Sequence, residues 1–473
     1  MQFRPTAISL AEIPCATRVP FRFGSVTLEG APLLHARVEL EAVDGRTATG
    51  MAADLLVPKW FRKDPNRSVE DDQNDLRRSV EAASASLASD ASPRSIFDLW
   101  LTTYRDCVQS QSPDADDLLV RGFGTALLER AMIDAACRLT NKSFWSALKS
   151  DLFRIRPGEL LPELDGLDVA QLLPNRPASS VAVRHTVGML DPLRDSDISA
   201  DQRVDDGLPQ SLENYLNSDA PRWLKIKIGN GPDQDRQRLL AIAGLCQEFD
   251  REIYFTLDGN EQFASLAELG EVLDPLSTEA TGKKFLERLA FIEQPLSRSQ
   301  TFDREGNSGL ERVTYFAPLL LDEADMAADS FRRALAQGWR GCSVKNCKGV
   351  FRALTNLGLA HQHQDGAFLS AEDLTNLPVL SLQQDLATVA ALGLPHVERN
   401  GHHYFRGLDH LPADAQDAAL VAHQDLYARQ AQGLALQITN GDLRLDSLQG
   451  PGYGCDSAPF EALETGLTWR RIV

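Results

Sequence analysis

Charged side chains end five apolar runs of this chain, and their order indicates a single reaction centre. The runs WLKIK, FTLD, AFIE, LLLD and CSVK end at Lys227, Asp258, Glu293, Asp322 and Lys345. The successive intervals are 31 (258−227), 35 (293−258), 29 (322−293) and 23 (345−322) residues. Each interval is the length of about one strand–helix unit. We therefore expect these side chains at the carboxyl ends of successive parallel strands, where barrel enzymes build their active sites.

Three carboxylates that converge at one place repel one another, and a divalent cation removes that repulsion. Mg²⁺ prefers hard oxygen ligands, so Asp258, Glu293 and Asp322 are predicted to hold one Mg²⁺. Such an ion can hold a substrate carboxylate and stabilise the negative charge of an enolate. The pattern therefore favours removal of a proton next to a carboxylate.

The lysines on either side supply the acid–base chemistry of this hypothesis. Lys227 and Lys345 would flank the ion from well-separated strands. A lysine has an ordinary pKa of about 10.4, so a lysine base needs an environment that disfavours its charge. Lys225 lies two residues before Lys227, on the same face of the strand. We expect Lys225 to stay protonated, to act as that neighbouring charge and to contact the substrate carboxylate.

Each of these residues also has an ordinary interpretation. Asp258 precedes a glycine, as in many turns, and Glu293 stands where a loop could begin. Asp322 and Glu323 could cap a following helix, and Lys345 could be a solvated charge. Five charged residues at the ends of five regularly spaced apolar runs are much rarer by chance than any one of them. The prediction therefore rests on their order and spacing.

The elements that must position these residues form a repeating pattern. From about residue 180, eight short apolar runs alternate with helix-like segments, namely VAVRHTVGM, WLKIKIG, IYFTLDGN, LAFIEQP, APLLLDEAD, GCSVKN, AFLSAED and PHVERNG. Strands that alternate with helices predict a parallel α/β fold, and eight of them predict a (β/α)₈ barrel. Residues 1–60 indicate a small antiparallel sheet, residues 67–90 a surface helix, and FGTALLERAMIDAACRLT a helix over 123–140.

Composition excludes several classes of protein. The chain has 473 residues and a formal net charge of −19, which argues against nucleic acid and anionic membranes as partners. No apolar run is long enough to span a bilayer, and the N-terminus lacks the pattern of a signal peptide. The seven cysteines have no C-x-x-C pair, so we expect free thiols and a cytoplasmic protein.

Taken together, these motifs resemble the enolase superfamily, and most closely its muconate-lactonizing-enzyme-like branch within the mandelate racemase/muconate lactonizing enzyme group. The matching positions are Lys225 and Lys227 for K-x-K, Asp258 and Asn260 for D-x-N, Glu293, Gln294 and Pro295 for E-Q-P, Asp322 and Glu323 for D-E, and Lys345 for the sixth-strand lysine. The resemblance extends over nearly the whole chain. It implies a modified TIM barrel over residues 151–410 with an N-terminal α+β capping domain over 1–150. Residues 411–473 would return to the cap through the glycine-rich QGPGYGCD segment.

The resemblance also implies site residues and a class of reaction. It places Mg²⁺ on Asp258, Glu293 and Asp322, and makes Lys227 and Lys345 the acid–base pair on opposite faces of an enolate. It implies a small carboxylate substrate and a homo-oligomer. The reaction would be racemisation, epimerisation, cycloisomerisation or elimination, so the chain is expected to be an isomerase or lyase.

Other positions are predicted to contact the substrate, or depart from the family pattern. Asn260, Glu323, Glu372 and Glu398 are candidates on the barrel. Two cap segments, residues 18–28 and 51–65, could reach the substrate through Arg22, Lys59 or Trp60, although Trp60 could equally be a packed cap residue. The sixth strand continues KNCKGVF instead of the family's K-x-x-K-x-G-G. The seventh strand lacks a histidine and the eighth lacks D-x-D, which disfavours sugar-acid dehydration and dipeptide epimerisation respectively.

Two alternatives remain open from the sequence. One is an acid-sugar dehydratase of the same superfamily. The other is a barrel that binds a small acid without catalysis.

Overall fold

The fold is seen in a computed structural model that describes residues 1–24, 26–109, 117–363, 365–430 and 432–473. It consists of an N-terminal antiparallel sheet domain and a closed barrel of eight parallel strands in the described part of the chain. The predicted α/β barrel with an α+β capping domain is confirmed. All seven cysteines are free thiols, as expected.

The capping domain is built on three long antiparallel strands and the helices that cover them. Its elements are β1 (Phe3–Phe23), β2 (Val26–Ala42), β3 (Thr47–Leu55), α1 (Val69–Ala88), α2 (Ile96–Tyr104), α3 (Leu118–Leu139) and α4 (Phe144–Lys149). Helix α1 begins at Ser68, whose hydroxyl accepts a hydrogen bond from the backbone N–H of Asp71 in a capping box. Its buried residues Leu76, Val80 and Leu87 recur at helical spacing and face the cap core.

Helix α3 differs from its sequence prediction in one respect. The sequence indicates a single apolar stripe, but the helix is buried on nearly every side, because it lies between the cap sheet and the barrel. The fit against the sheet is close, since a Cβ atom added at Gly50 of β3 would lie 2.2 Å from the carbonyl oxygen of Ala131. Arg130 pairs with Asp54 on β3, which satisfies two buried charges at this contact.

The barrel contains each of the eight strands predicted from the apolar runs. They are β4 (Ser180–Val187), β5 (Trp223–Lys227), β6 (Tyr254–Asp258), β7 (Leu289–Glu293), β8 (Leu319–Leu321), β9 (Gly341–Val344), β10 (Phe368–Ala371) and β11 (His396–Arg399). Neighbours in this order pair in parallel, and β11 pairs with β4 to close the barrel.

The helices between and around the strands complete the outer ring. They are α5 (Val169–Leu172), α6 (Leu212–Ser218), α7 (Pro232–Cys246), α8 (Leu266–Leu276), α9 (Ala280–Leu286), α10 (Leu310–Thr314), α11 (Ser330–Gln337), α12 (Val350–Gln362), α13 (Leu380–Leu392), α14 (Gly401–Tyr404) and α15 (Ala413–Ala422). None of the helices in the described ranges is both long and apolar enough to cross a bilayer.

The C-terminal segment contacts both domains. It contains β12 (Tyr427–Gln430), β13 (Gly433–Leu436), β14 (Asp442–Arg444), α16 (Ser457–Gly466) and β15 (Arg470–Arg471). Strand β14 pairs antiparallel with β4 of the barrel, and β15 pairs antiparallel with β1 of the cap. The glycine-rich stretch between them reaches α3, where Asp134 accepts a 2.8 Å hydrogen bond from the backbone N–H of Tyr453.

Candidate active site

The five charged residues that end the apolar runs lie together at the carboxyl end of the barrel. Lys227 on β5 is directly opposite Asp258 on β6, and Asp258 is directly opposite Glu293 on β7. Asp322 and Lys345 follow the last residues of β8 and β9. Each of the five residues is at least 95% buried. Successive strands of a closed barrel therefore bring three carboxyl groups and two lysines together at one end of the barrel.

Lys225 lies below these side chains, surrounded by carboxylates. Its Nζ atom is 3.0 Å from Asp258 Oδ2, 2.7 Å from Glu293 Oε2, 2.9 Å from Glu372 Oε2 and 2.8 Å from Glu398 Oε2. Lys225 thus connects β6 and β7 with the ends of β10 and β11 across the barrel. The sequence predicts Glu372 and Glu398 as substrate contacts, but in this structure both are bound to Lys225.

This crowding shifts the titration of the whole cluster. Burial disfavours the charge of Lys225, yet the surrounding carboxylates raise its pKa well above the ordinary value. Burial, together with Asp258 and Glu372, raises the pKa of Glu293 well above its usual range. Burial opposes ionisation of Glu398 as well, but Lys225 and Lys227 hold its pKa well below the usual range. Glu293 therefore favours the protonated, neutral form, whereas Glu398 favours the ionised form.

The two predicted acid–base lysines each bind one carboxylate. Lys227 Nζ donates a 2.6 Å hydrogen bond to Asp258 Oδ2, and Lys345 Nζ donates a 2.7 Å hydrogen bond to Asp322 Oδ2. Lys348 Nζ lies 3.3 Å from Asp322 Oδ1. Burial alone would raise the pKa of Asp322, but Lys345 and Lys348 hold it well below its usual range. Asp322 in turn raises the pKa of Lys345, against the effect of burial.

The space enclosed by these residues is small and is covered by the cap. It has a volume of about 30 Å³, enough for one or two water molecules. The residues that line it are Lys225, Lys227, Asp258, Asn260 and Lys345 from the barrel strands, Asp373, Leu374, Thr375 and Asn400 from later loops, and Phe21, Phe23, Val57 and Trp60 from the cap. The cap therefore closes directly over the lysines.

The predicted cap residues take different positions. The ring of Trp60 lies over Lys345, with 4.3 Å between Nζ and the ring centroid. Lys59 does not line the space, because its Nζ atom is 3.0 Å from Asp72 Oδ2 and donates to the carbonyl oxygens of Asp64 and Arg67 within the cap. Arg22 lies between the two lining phenylalanines of β1 and is not a lining residue. Ser25 of the 18–28 segment lies outside the described residues.

Asn260 and Glu323 bind each other beside the predicted ligand Asp258. The backbone N–H of Asn260 donates to Asp258 Oδ1 over 2.9 Å, and its side-chain amide donates to Glu323 Oε1 over 3.2 Å. Burial raises the pKa of Glu323, and the nearby Lys63 opposes that effect. Asn260 therefore lines the space and holds Asp258, whereas Glu323 contacts it only through Asn260 and is not a lining residue.

Sequence reasoning missed three further cations of the site. Arg184 on β4 pairs with Glu372 and donates a 3.1 Å hydrogen bond to Thr256 Oγ1. Lys63 lies 2.7 Å from Glu261 Oε2, and Lys348 binds Asp322. Arg184 could have been found as the arginine inside the apolar run VAVRHTVGM, which needs a buried partner as Lys225 does. Lys348 is the second lysine of KNCK, and Lys63 falls within the 51–65 segment.

The donor chemistry of this site fits a divalent cation of the Mg²⁺ type. Among the described residues, Asn260 Oδ1 and Glu323 Oε2 are buried oxygens without a hydrogen-bond partner. Ionised oxygens come from Asp258 and Asp322, whereas the raised pKa of Glu293 means that a cation would replace a proton there. In the described ranges, however, no three His, Cys, Asp or Glu side chains converge as a metal-binding group, because lysine nitrogens lie between the carboxylates. The ammonium groups must withdraw for an ion to bind.

Comparison with known proteins supports the fold. No protein-family model and no curated protein matches this chain. Among solved structures, an unknown member of the enolase superfamily from Enterococcus faecalis V583 is 14% identical, with 100% of each chain covered and a TM-score of 0.61. An enolase from Bradyrhizobium complexed with magnesium and mandelic acid is 15% identical, with 99% of each chain covered and a TM-score of 0.61.

A third match belongs to the branch that the motifs indicate. The muconate lactonizing enzyme from Pseudomonas fluorescens, complexed with muconolactone, is 16% identical, with a TM-score of 0.59. The match covers 98% of this chain and 99% of that one. These likenesses show that the chain has the fold of enolase superfamily proteins of the mandelate racemase/muconate lactonizing enzyme type.

Proposed function

We propose that this chain is an enolase superfamily enzyme that uses Mg²⁺ to abstract the proton α to the carboxylate of a small acid. One observation carries the proposal. Asp258, Glu293 and Asp322 stand at the carboxyl ends of three successive strands, and Lys227 and Lys345, which line the buried space, bind Asp258 and Asp322 from either side. The Bradyrhizobium structure, which shares the fold, holds magnesium and the small carboxylate mandelic acid.

Asp258, Glu293 and Asp322 would hold the ion. When bound, it would supply positive charge for the substrate carboxylate and for the enolate that forms from it. Its charge would also replace that of the lysines now bound to Asp258 and Asp322. Lys227 and Lys345 would then be free to turn toward the substrate.

The two lysines would work from opposite sides of the substrate. Lys227 would remove the α-proton on one face, and Lys345 would return a proton or stabilise charge on the other. Lys225 would remain a charged group held by Glu372 and Glu398, which keeps it out of proton transfer. The cap aromatic residues Phe21, Phe23 and Trp60 leave room for only one or two water molecules, which strengthens the electrostatic interactions in this space.

Exchange of the α-proton in D₂O tests this proposal directly. With Mg²⁺ and a panel of small carboxylic acids that includes mandelate, we expect deuterium to enter the α-carbon of at least one acid. Lys227→Ala and Lys345→Ala should each slow exchange by about 10²–10⁴-fold, because general acid–base catalysis contributes that much. Both variants should still bind Mg²⁺ in calorimetry.

Lys283→Ala, which changes an exposed lysine on α9, is the matched control and should exchange like the unchanged protein. The proposal fails if no acid that binds in the presence of Mg²⁺ exchanges its α-proton. It also fails if the variants and the control lose exchange equally.

A second function, a barrel that binds a small acid without metal or catalysis, is favoured by the position of Lys225. Its ammonium group already lies among four carboxylates that would otherwise need a cation. Titration with Mg²⁺ separates the two functions. Heat of binding that disappears in Asp258→Asn supports the enzyme, whereas acid binding that is independent of Mg²⁺ and without exchange supports the binding protein.

A further inference from the structure

A buried arginine of the barrel holds the cap segment that covers the site. Arg298 lies in the loop after β7 and is 5% exposed. Its Nη1 atom donates a 2.7 Å hydrogen bond to the carbonyl oxygen of Phe61, and its Nη2 atom donates a 3.0 Å hydrogen bond to that of Trp60. Two consecutive carbonyl groups of the cap are therefore bound by one guanidinium group of the barrel.

Glu261 fixes this arginine from the neighbouring loop. Its Oε1 and Oε2 atoms accept hydrogen bonds from Arg298 Nε and Nη2, over 3.0 and 2.9 Å. The same carboxylate lies 2.7 Å from Lys63 Nζ, and Lys63 also donates a 2.6 Å hydrogen bond to the carbonyl oxygen of Asn260. The cap segment thus meets the barrel at two points, through Arg298 and through Lys63.

The backbone beneath Glu261 is strained, which indicates that its position is tightly determined. Asn260 and Glu261 have φ angles of 42° and 67°, a region that residues other than glycine rarely adopt. Two successive residues in this region persist only where the surrounding contacts hold them. Here those contacts are Asp258 Oδ1 on the backbone N–H of Asn260 and the Arg298–Glu261 pair.

We propose that Arg298 and Glu261 are positioning residues that clamp the backbone of Trp60 and Phe61 against the barrel and thereby seat the Trp60 ring on Lys345. The geometry is direct, because the clamped carbonyl belongs to the residue whose ring covers the lysine. The Phe61 ring packs edge-on against Trp60, with 5.0 Å between the ring centroids, and supports the seated position.

The clamp also controls which molecules reach the lysines, a consequence that rests on the proposed function. The space of about 30 Å³ is too small for a carboxylic acid, and Trp60 is one of the four cap side chains that line it, so its position should affect the entry of a substrate. The ion-pair network of Arg298, Glu261 and Lys63 resists movement of Trp60. Its strength should therefore affect substrate entry and the size of acid accepted more than the proton-transfer step.

Quenching of tryptophan fluorescence by acrylamide tests the seating of Trp60 without any substrate. The Trp60 contribution is the difference between a protein that has Trp60 and the same protein with Trp60→Phe. In the unchanged protein this contribution should be protected, because Trp60 is 3% exposed. In Arg298→Leu and in Glu261→Gln, the quenching of Trp60 by acrylamide should increase by about twofold or more, because the cap segment opens locally.

Arg312→Leu is the matched control, because Arg312 also binds one carboxylate, that of Asp274, and one backbone carbonyl, that of Ala267. It lies away from the cap and should leave Trp60 protected. Arg298→Lys keeps the positive charge but loses the planar guanidinium group that binds two carbonyl groups at once. Its Trp60 should therefore be quenched to an intermediate extent. Thermal unfolding of each variant shows that the comparison is made on folded protein.

The positioning role is overturned if Trp60 stays protected in folded Arg298→Leu and in folded Glu261→Gln. Where an acid shows α-proton exchange, the same variants should change KM for that acid by about tenfold in either direction, while kcat is largely retained. The reason is that the clamp acts on the entry and binding of the acid and not on proton transfer. A loss of kcat at unchanged KM would overturn the role in entry. Failure of every acid to exchange would count against the proposed reaction alone, since the quenching result does not depend on it.

Discussion

The barrel mouth and the contact between α3 and α12 both bury carboxyl groups, but only the mouth provides ammonium groups for them. At the mouth, Lys227 Nζ lies 2.6 Å from Asp258. At the other contact, Glu129 of α3 accepts a 2.6 Å hydrogen bond from the backbone N–H of Phe351 at the start of α12. Within the described ranges, no cationic side chain forms an ion pair with Glu129.

The difference shows what decides the ionisation of a buried acid in this protein. Burial raises the pKa of Glu129 to about 8, although the N–H group of Phe351 lowers it. Asp258 is buried to the same degree, yet Lys225 and Lys227 hold its pKa below the usual range. Asp258 and Asp322 therefore keep ionised oxygens where a cation could use them, whereas Glu129 favours the neutral acid, as does Glu293, which shares Lys225 with three other carboxylates.

Removal of Lys225 should have the largest effect. Lys225→Met leaves four carboxylates without their shared ammonium group, and loss of one partner from a buried ion pair costs about 3–5 kcal/mol. Urea denaturation should show a loss of unfolding free energy of that size. Lys227→Met is the control, since Asp258 keeps Lys225 as a partner, and it should lose much less. Equal losses in the two variants would mean that the carboxylates around Lys225 do not depend on it.

A change of Glu129 should alter the pH dependence of stability. Between the ordinary value of 4.5 and about 8, the folded protein keeps a proton on Glu129 that the unfolded chain has released. The free energy of unfolding should therefore fall as pH rises through this window, by about 1 kcal/mol per pH unit from this group. Glu129→Gln should remove that contribution, so the variant gains stability over the unchanged protein as pH rises.

Urea denaturation at several pH values between 5 and 8 measures this effect. Glu81→Gln, a change of a partly exposed glutamate on α1, serves as the control and should run parallel to the unchanged protein. A constant difference between Glu129→Gln and the unchanged protein across this window would show that the carboxyl group of Glu129 is ionised throughout.

The smallest effect is expected at Lys59, where the same kind of ion pair is partly open to solvent. The side chains of Lys59 and Asp72 are 15% and 7% exposed. Lys59→Met should lower the unfolding free energy by about 1 kcal/mol, because Asp72 keeps a 3.2 Å ion pair with Arg67. It should leave α-proton exchange unchanged, since Lys59 does not line the site. A large loss of exchange would instead make Lys59 a substrate contact, as the sequence predicts.

The barrel could be predicted because its signals are local. Each strand is a short apolar run, each run ends at a polar residue, and the intervals match a strand–helix unit, so eight strands could be counted directly. The all-round burial of α3 could not be predicted, because it depends on the barrel packing against a helix that looks one-sided in sequence. The pairing of β14 with β4 joins residues far apart in the chain, and the short run DLR has no clear strand signal.

The sequence predicts which residues lie at the candidate site more fully than it predicts which of them contact one another. The spacing of Lys227, Asp258 and Glu293 follows from the register of adjacent strands, which sequence intervals reflect. The partners of Lys225 come from across the barrel, and no local pattern connects it with Glu372. Likewise, Lys59 and Lys63 lie four residues apart in one segment, and only the three-dimensional course of the cap shows that Lys63 reaches the barrel.

The pairing of β15 with β1 has a consequence for the order of synthesis on the ribosome. Arg471 pairs with Ser9, and the backbone N–H of Ile472 donates to the carbonyl oxygen of Ile8, so one partner at this sheet edge is synthesised before the barrel and the other after it. The first cap strand therefore leaves the ribosome with an open edge and keeps it while the whole barrel is made. Domains usually fold as they emerge, but the cap gains strand β15 only after the barrel that it covers has been made.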